Sequence, residues 1–188
     1  MNTEPDKRSA FWSRLASRFT TDGHLIDPKF SRNRNRYLLQ CGLVAITMLV
    51  VLLSLDTAYQ TVLIAALGAS SVAAFSSPNM RASRPRCLIG GYLVAVIVGC
   101  GLSMLVGGST GLTGLDQHSA RIVVGALATG LAMFFMAITE TEHPSAAAVA
   151  LGFVLNEWDV MTVVGVMSGI TAISLAKEMA RNWLIDLL

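Results

Sequence analysis

The charged side chains of this chain are distributed very unevenly, which strongly limits what it can fold into. Of its 14 basic and 12 acidic residues, 12 lie in residues 1–36 and four lie in residues 177–188. Only ten remain for the 140 residues between these ends, nearly all in short connections between apolar runs. A water-soluble domain carries about a quarter charged residues. The central region has too few charges for a surface in water, which predicts an integral membrane protein.

Six apolar segments fill this central region, in the order long, short, long, and then the same order again. The short segments, about residues 61–75 and 144–155, are rich in small residues. The long segments, which approach the roughly 20 residues of a crossing helix, are about residues 37–55, 87–106, 121–138 and 160–176. The pattern predicts an all-α polytopic membrane helix bundle. Its two three-segment units are predicted to be related as an inverted repeat, an architecture of secondary transporters.

Two topologies fit these segments, and the basic residues favour one of them. If the short segments cross the membrane, there are six crossings, and the inside stretches hold 8, 3 and 2 basic residues. If they only dip into the membrane, Arg81, Arg84 and Arg86 lie outside, against the positive-inside rule. We therefore expect six crossings of the cell (inner) membrane. Residues 1–36 and 177–188 are then cytoplasmic.

The basic N-terminal segment, residues 1–36, permits two interpretations. Phe11, Trp12, Leu15 and Phe19 recur at helical spacing among eight Lys and Arg residues. This pattern is typical of an amphipathic helix that lies on an anionic membrane surface. A disordered basic tail that only fixes the topology fits the composition equally well. In the first case membrane lipid is a partner of this segment.

Ionisable residues cluster at one junction, where residues 139–145 (TETEHPS) lead into the second short segment. A helix of 12 residues rises about 18 Å, well short of a hydrocarbon core of about 30 Å. One of its ends must therefore be screened by protein or face a water-filled cavity. Pro144 suits the first helical position, and the N–H groups at a free helix start favour an anion. His143, just outside that start, is suited to carry positive charge or relay a proton.

The first short segment supplies matching groups, because Gly68 permits close backbone approach while Ser70 and Ser71 carry hydroxyls. We expect the two short segments to face each other, with a small polar or anionic solute passing between them. Glu140 and Glu142 favour cations or protons if ionised at the mouth, or are simply solvated turn residues. The candidate substrate-binding residues are His143, Pro144, Ser145, Thr141, Glu142, Gly68, Ser70 and Ser71.

Other function classes find little support in this sequence. There is no nucleophile elbow, P-loop, HExxH or Rossmann glycine pattern, so no enzymatic activity is expected. Glu140, Glu142 and His143 lack a distant fourth metal ligand, so no metal or other cofactor is predicted. The net charge of +2 and the absence of a basic stripe with interleaved aromatics speak against nucleic-acid binding.

An alternative function is a non-transporting membrane interaction or assembly protein. Gly91, Ala95 and Gly99 recur every four residues, and Gly165 and Gly169 have GxxxG spacing. Such strips of small residues allow close helix packing in membranes. A homo-oligomer could form through either strip. A polar cavity reaching His143 would favour transport, whereas a His143 sealed by packing would favour a structural role.

Two stretches resemble the HPP family of integral membrane proteins. Residues 139–146 (TETEHPSA) are similar to the family signature T-x-T-x-H-P-P-A-G-A. Residues 68–71 (GASS), followed by Pro78, Pro85-Arg86 and Gly90-Gly91, are similar to its other well-marked region. The resemblance covers about residues 35–176.

The resemblance has departures and functional implications. Ser145 replaces the second proline, Ala147 replaces a glycine, and Tyr92 stands where histidine is common. The last change removes the second imidazole that a two-histidine proton relay would need. The resemblance implies four transmembrane helices and a transport-related role, and some members are implicated in nitrite transport. We therefore expect a membrane transporter or channel for a small solute, with a small monovalent anion such as nitrite preferred.

Overall fold

The computed structural model describes residues 28–54, 61–108 and 116–187. Within them the chain forms six α-helices and one 3-10 turn, and no strand. The helices are α1 (Pro28–Ser54), α2 (Thr61–Ser76), α3 (Pro85–Gly108), α4 (Gln117–Ile138), α5 (Pro144–Leu155) and α6 (Val160–Ala180), and the turn is Arg81–Ser83. The predicted all-α bundle is confirmed. The amphipathic helix predicted around Phe11 to Phe19 lies outside the described residues.

Four of the described helices contain stretches long and apolar enough to cross a membrane, so the chain is a multi-pass membrane protein. These stretches are Asn33–Leu52, Pro85–Val106, Gln117–Ile138 and Val160–Ala180. Large apolar side chains such as Met133 and Phe134 are exposed on their outer faces, as a lipid environment requires. The helices α2 and α5 have only 16 and 12 residues. The predicted order of long and short segments is therefore present, whereas the inverted-repeat symmetry stays a prediction.

The first and last helices are longer than the sequence predicted. Helix α1 begins at Pro28 instead of residue 37, and its backbone leaves helical geometry at Asn33 (φ −119°, ψ 22°). Proline suits a first helical turn because its missing N–H would have no partner there. Helix α6 continues to Ala180 instead of residue 176, and the side chain of Lys177 is buried. The boundaries of the two polar end segments therefore fall inside helices, because polar residues can extend a helix beyond its apolar part.

The first two helices of this bundle run in opposite directions. Gln40 of α1 donates from Nε2 to the carbonyl oxygen of Phe75 near the end of α2, over 2.8 Å. Toward the other ends of the same helices, Met48 lies beside Gly68. The helices α1 and α2 are therefore antiparallel, and each brings its chain to the opposite end of the bundle.

The short helices α2 and α5 lie side by side in the core. Leu63, near the start of α2, packs against Gly152 near the end of α5. Further along α2, the hydroxyl oxygen of Ser70 is 2.6 Å from that of Ser145 at the start of α5. The two helices are thus antiparallel and in contact along their length. Because both are apolar on all sides, burial in the centre is the arrangement expected for them.

Both predicted strips of small residues pack inside the chain. A Cβ at Gly99 would lie 2.9 Å from the Cα of Ala150, so α3 and α5 approach closely there. In the other strip, Gly169 of α6 faces Leu67 of α2. Helices of the same chain therefore occupy both strips. A homo-oligomer stays a prediction and would need another surface.

A Schellman motif at the end of α4 directs the chain into α5. The N–H of Thr141 donates to the carbonyl of Met136 over 2.9 Å, and that of Glu140 donates to Ala137 over 3.3 Å. Such a motif needs a left-handed residue, normally glycine. Here Glu140 adopts the left-handed conformation, with φ 55°. After this reversal His143 is extended (φ −142°, ψ 101°).

Replacing Glu140 by glycine should stabilise the protein by about 0.5–1 kcal/mol. A left-handed conformation costs a residue with a Cβ roughly 1–2 kcal/mol, and the greater freedom of unfolded glycine offsets part of this gain. The ion pair between Arg81 and Glu140 (3.4 Å) joins side chains that are 55% and 69% exposed, so its loss should matter little. Thermal unfolding in detergent measures the effect. Glu142→Gly is the control, because Glu142 is also exposed but lacks a positive φ; a melting temperature for Glu140→Gly below that of the control would contradict the prediction.

The last residues fold back onto the bundle. Gln40 Nε2 also donates to the carbonyl of Ile185 over 2.7 Å, and the side chain of Leu184 is buried. The carboxylate of Asp186 accepts hydrogen bonds from the side chain and backbone of Asn79, at 2.7 and 3.1 Å. These bonds hold the pKa of Asp186 below its usual value. The end of the segment 177–188, which was predicted as a cytoplasmic tail, is therefore docked against α1 and the α2–α3 connection.

Candidate functional site

His143 lies where α2, the 3-10 turn and the start of α5 meet. Its side chain is 1% exposed. The ring nitrogen Nδ1 is 2.9 Å from the carbonyl oxygen of Ala82. The other ring nitrogen, Nε2, is 2.8 Å from the hydroxyl of Ser70 and 2.7 Å from that of Ser145. Both nitrogens are therefore bonded within the chain.

The hydroxyl groups continue this set of contacts to a third helix. The Ser70 oxygen is 2.6 Å from the Ser145 oxygen and 2.7 Å from the Tyr92 oxygen of α3. The ring centroids of Tyr92 and His143 are 6.0 Å apart. We refer to Ser70, Tyr92, His143 and Ser145 as the polar cluster. It joins α2, α3 and α5 inside an otherwise apolar bundle.

The Ala82 carbonyl determines how the protons of the polar cluster are arranged. A carbonyl oxygen can only accept, so Nδ1 of His143 carries the hydrogen, and in the neutral ring Nε2 is an acceptor. Each hydroxyl has one proton to donate. Tyr92 can then donate to Ser70, Ser70 to Ser145, and Ser145 to His143. With a neutral imidazole every one of these groups has a partner.

The predicted site residues are only partly brought together. Ser70, His143 and Ser145 belong to the polar cluster. Thr141 is buried next to it, but its hydroxyl pairs with that of Thr139 at 2.8 Å. Pro144 is the first residue of α5, as predicted, and its side chain is exposed.

Three further predicted residues are not members of the polar cluster. Glu142 is exposed. Gly68 faces Met48 of α1 instead of α5. Ser71 is buried, and its hydroxyl has no hydrogen-bond partner among the described residues. None of these three residues therefore takes part in the hydrogen bonds of the polar cluster.

Sequence reasoning missed two members of this site, Tyr92 and the carbonyl of Ala82. Tyr92 was interpreted only as the loss of a histidine, yet its hydroxyl enters the polar cluster. A signal was present, since a tyrosine inside an apolar helix normally finds a hydrogen-bond partner. The carbonyl of Ala82 carries no signal, because every residue has one.

The imidazole of the polar cluster is covered by neighbouring residues of the chain. The 3-10 turn covers His143 through Ala82, and a Cβ at Gly91 would lie 3.0 Å from the Cβ of His143. No solute can contact the imidazole unless the turn or a helix moves. In the part of the chain that the structure describes, no group of three His, Cys, Asp or Glu residues could hold a metal ion.

Comparison with known proteins identifies one family. The family model described as HPP, transmembrane region, matches residues 30–183. This interval contains α2 to α6 and all but the first two residues of α1. No curated protein and no solved structure gives a significant match.

Proposed function

This chain belongs to the HPP family of membrane proteins, and from that premise we propose that it is a transporter or channel for a small solute. A small monovalent anion such as nitrite is the preferred substrate. One observation carries the proposal: the 2.6 Å contact between the hydroxyls of Ser70 and Ser145, where the two short helices meet. Polar groups buried inside a membrane bundle are costly and usually mark a substrate or ion pathway.

In the described conformation the polar groups satisfy one another. Transport then requires α2 to move relative to α5, which would release the hydroxyls of Ser70 and Ser145 from their mutual contact. Together with the N–H groups at the start of α5, they would supply donors to an anion. A solute that replaces internal hydrogen bonds can stabilise such an open state.

Proteoliposomes provide the test of this proposal. Wild-type protein should carry nitrite at a rate above empty liposomes, and His143→Ala should reduce that rate at least tenfold. Ser70→Ala should also lower it, because Ser70 contacts three members of the polar cluster. The matched control is Ser168→Ala, whose hydroxyl bonds only its own helix at the carbonyl of Gly165. Absence of flux for nitrite and for other small anions would remove the proposal.

The alternative is a non-transporting membrane interaction or assembly protein. The observation favouring it is the burial of His143, with both nitrogens bonded inside the chain. On this alternative His143→Ala lowers the melting temperature, while folded wild-type protein gives no flux for any small solute. The basic segment of residues 1–36 would then bind anionic lipid.

We further propose that the protein lies in the cell (inner) membrane with six crossings and both termini in the cytoplasm. The connection between α2 and α3 would then face the cytoplasm. Met80 is 60% exposed there and is suited to replacement by cysteine, whereas Ser83 is buried. In a background without other cysteines, Met80→Cys should resist an impermeant thiol reagent applied to intact cells. Labelling from outside would overturn the orientation.

A further inference from the structure

A cavity of about 350 Å³ lies at the far end of α5 from His143. We call it the distal cavity. Its polar lining comes from the ends of three helices and from the connection that follows α5. The polar or partly polar lining residues are Ser103, Arg121, Asn156, Glu157 and Trp158.

The distal cavity exists because α5 is short. Gly99 of α3 lies against Ala150 and Phe153 of α5. Beyond this contact α3 continues for nine residues to Gly108, whereas α5 continues for only two to Leu155. At 1.5 Å per residue, α3 extends about 10 Å further than α5. The space left beyond α5 is recessed between its longer neighbours.

Two hydrogen-bond donors line this recess. Arg121 is half-buried and forms no hydrogen bond or ion pair with any residue that the structure describes. The hydroxyl oxygen of Ser103 accepts from the indole Nε1 of Trp158 at 3.0 Å. Its own proton has no acceptor in the described ranges, so it is available to a ligand.

The acceptors of the distal cavity are less suited to hold a cation. Glu157 is exposed, so water screens its carboxylate. Asn156 donates its amide to the carbonyl of Gly152 at 2.9 Å, which fixes its side chain against α5. A half-buried guanidinium without a carboxylate partner favours an anion more strongly than an exposed carboxylate favours a cation.

We propose that the distal cavity binds a small anion, held by the guanidinium of Arg121 and the hydroxyl of Ser103. The proposal deepens the proposed function and rests on it only for the view that the bound anion is the transported solute. At about 30 Å³ per water molecule, the cavity is much larger than a bare inorganic anion. The anion therefore enters with part of its hydration shell.

The length of α5, about 18 Å, separates this anion from the polar cluster, and Phe153 lies near the distal end of that helix. The side chain of Phe153 is 0% exposed and packs edge-on against Trp158, with ring centroids 5.7 Å apart and an angle of 78°. A bound anion and His143 thus lie at opposite ends of α5. The distal cavity is filled independently of any movement at the polar cluster, and its binding can be measured without transport.

The indole of Trp158 provides the reporter for this site. In Trp12→Phe/Trp183→Phe protein in detergent, only Trp158 emits. Iodide, a small monovalent anion that quenches indole on contact, is titrated at constant ionic strength against sodium gluconate. Quenching should saturate in this protein, and Arg121→Gln should replace saturation by a linear dependence. Arg84→Gln, at the other end of the bundle, is the control and should leave saturation unchanged.

Two further variants test whether the site prefers a negatively charged ligand. Glu157→Gln removes a carboxylate from the lining and should lower the half-saturating iodide concentration severalfold. Arg121→Lys, which keeps the charge, should retain saturation at a higher concentration. Linear quenching in the parent protein, or saturation that survives Arg121→Gln, would overturn the proposal. Saturable binding without flux of nitrite or of other small anions in proteoliposomes would support the anion site and reject the transport function alone.

Discussion

Replacement of Gly99 by alanine is expected to lower the free energy of unfolding by about 1–3 kcal/mol, the usual range for overpacking. The added Cβ would lie 2.9 Å from the Cα and carbonyl oxygen of Ala150, and 2.9 Å from the Cβ of Phe153. None of these atoms can rotate away, because two belong to the backbone and the third is fixed to it. Helices α3 and α5 must therefore separate along the contact that places α5.

Gly101→Ala is the matched control for this substitution. Gly101 lies on the same helix, and a Cβ there meets nothing within 4 Å. Because alanine is a better helix former than glycine, this change should raise stability by up to about 1 kcal/mol. Chemical unfolding in detergent measures both variants. Equal stability of the two would show that α3 and α5 do not approach as closely as described.

The same contact illustrates what the sequence could predict of the fold. The limits of α5 follow from Pro144 at its start and the polar residues after Leu155, and the structure reproduces them. The start of α1 was missed, because hydropathy reports where a helix enters an apolar environment and not where it begins. The use of Gly99 inside the chain was also missed. A strip of small residues shows only that another helix can approach, not whether it belongs to the same chain.

The candidate site was predicted in part, and helix geometry explains why only some of the predicted residues belong to the polar cluster. Gly68, Ser70 and Ser71 were assigned to the site together because they are close in sequence. Residues one or two apart on a helix do not face the same way. Gly68 and Ser71 are three residues apart and share a face of α2, whereas Ser70 points in another direction. The rotation of α2 turns Ser70 toward α5. That rotation is set by tertiary packing, such as the contact of Gly68 with Met48 of α1.

The surroundings of the two ends of α5 also differ in part from the expectation. The sequence argument required at least one end of a 12-residue helix to be screened or hydrated, and it favoured the start at His143 as the accessible one. The imidazole of His143 at that start is covered by the 3-10 turn through Ala82, whereas Glu142 and Pro144 beside it are exposed. The opposite end, at Asn156, opens onto the distal cavity. The sequence shows that the ends of a short helix need protein or water around them. It does not show which groups are covered by protein and which open onto a cavity.

Removal of the imidazole should have the largest effect of any substitution in the polar cluster. His143→Ala leaves the carbonyl of Ala82 without a donor and the hydroxyl proton of Ser145 without an acceptor. An unsatisfied buried polar group costs about 1–3 kcal/mol, so a total loss of roughly 3 kcal/mol or more is expected. The melting temperature in detergent should fall accordingly. His143→Gln should recover part of the loss, because an amide can both donate and accept.

The remaining substitutions should follow an order set by the proton arrangement. Ser145→Ala should cost least, roughly 1 kcal/mol or less, because Ser70 is 2.8 Å from Nε2 of His143 and can donate to it directly. Ser70→Ala should cost more, since it removes the partner of Tyr92 as well as this reserve donor. If Ser145→Ala proves as damaging as His143→Ala, Ser70 does not donate to the imidazole in place of Ser145. A double-mutant cycle between Ser70 and Ser145 would then measure the coupling energy of the hydrogen bond between these two hydroxyls.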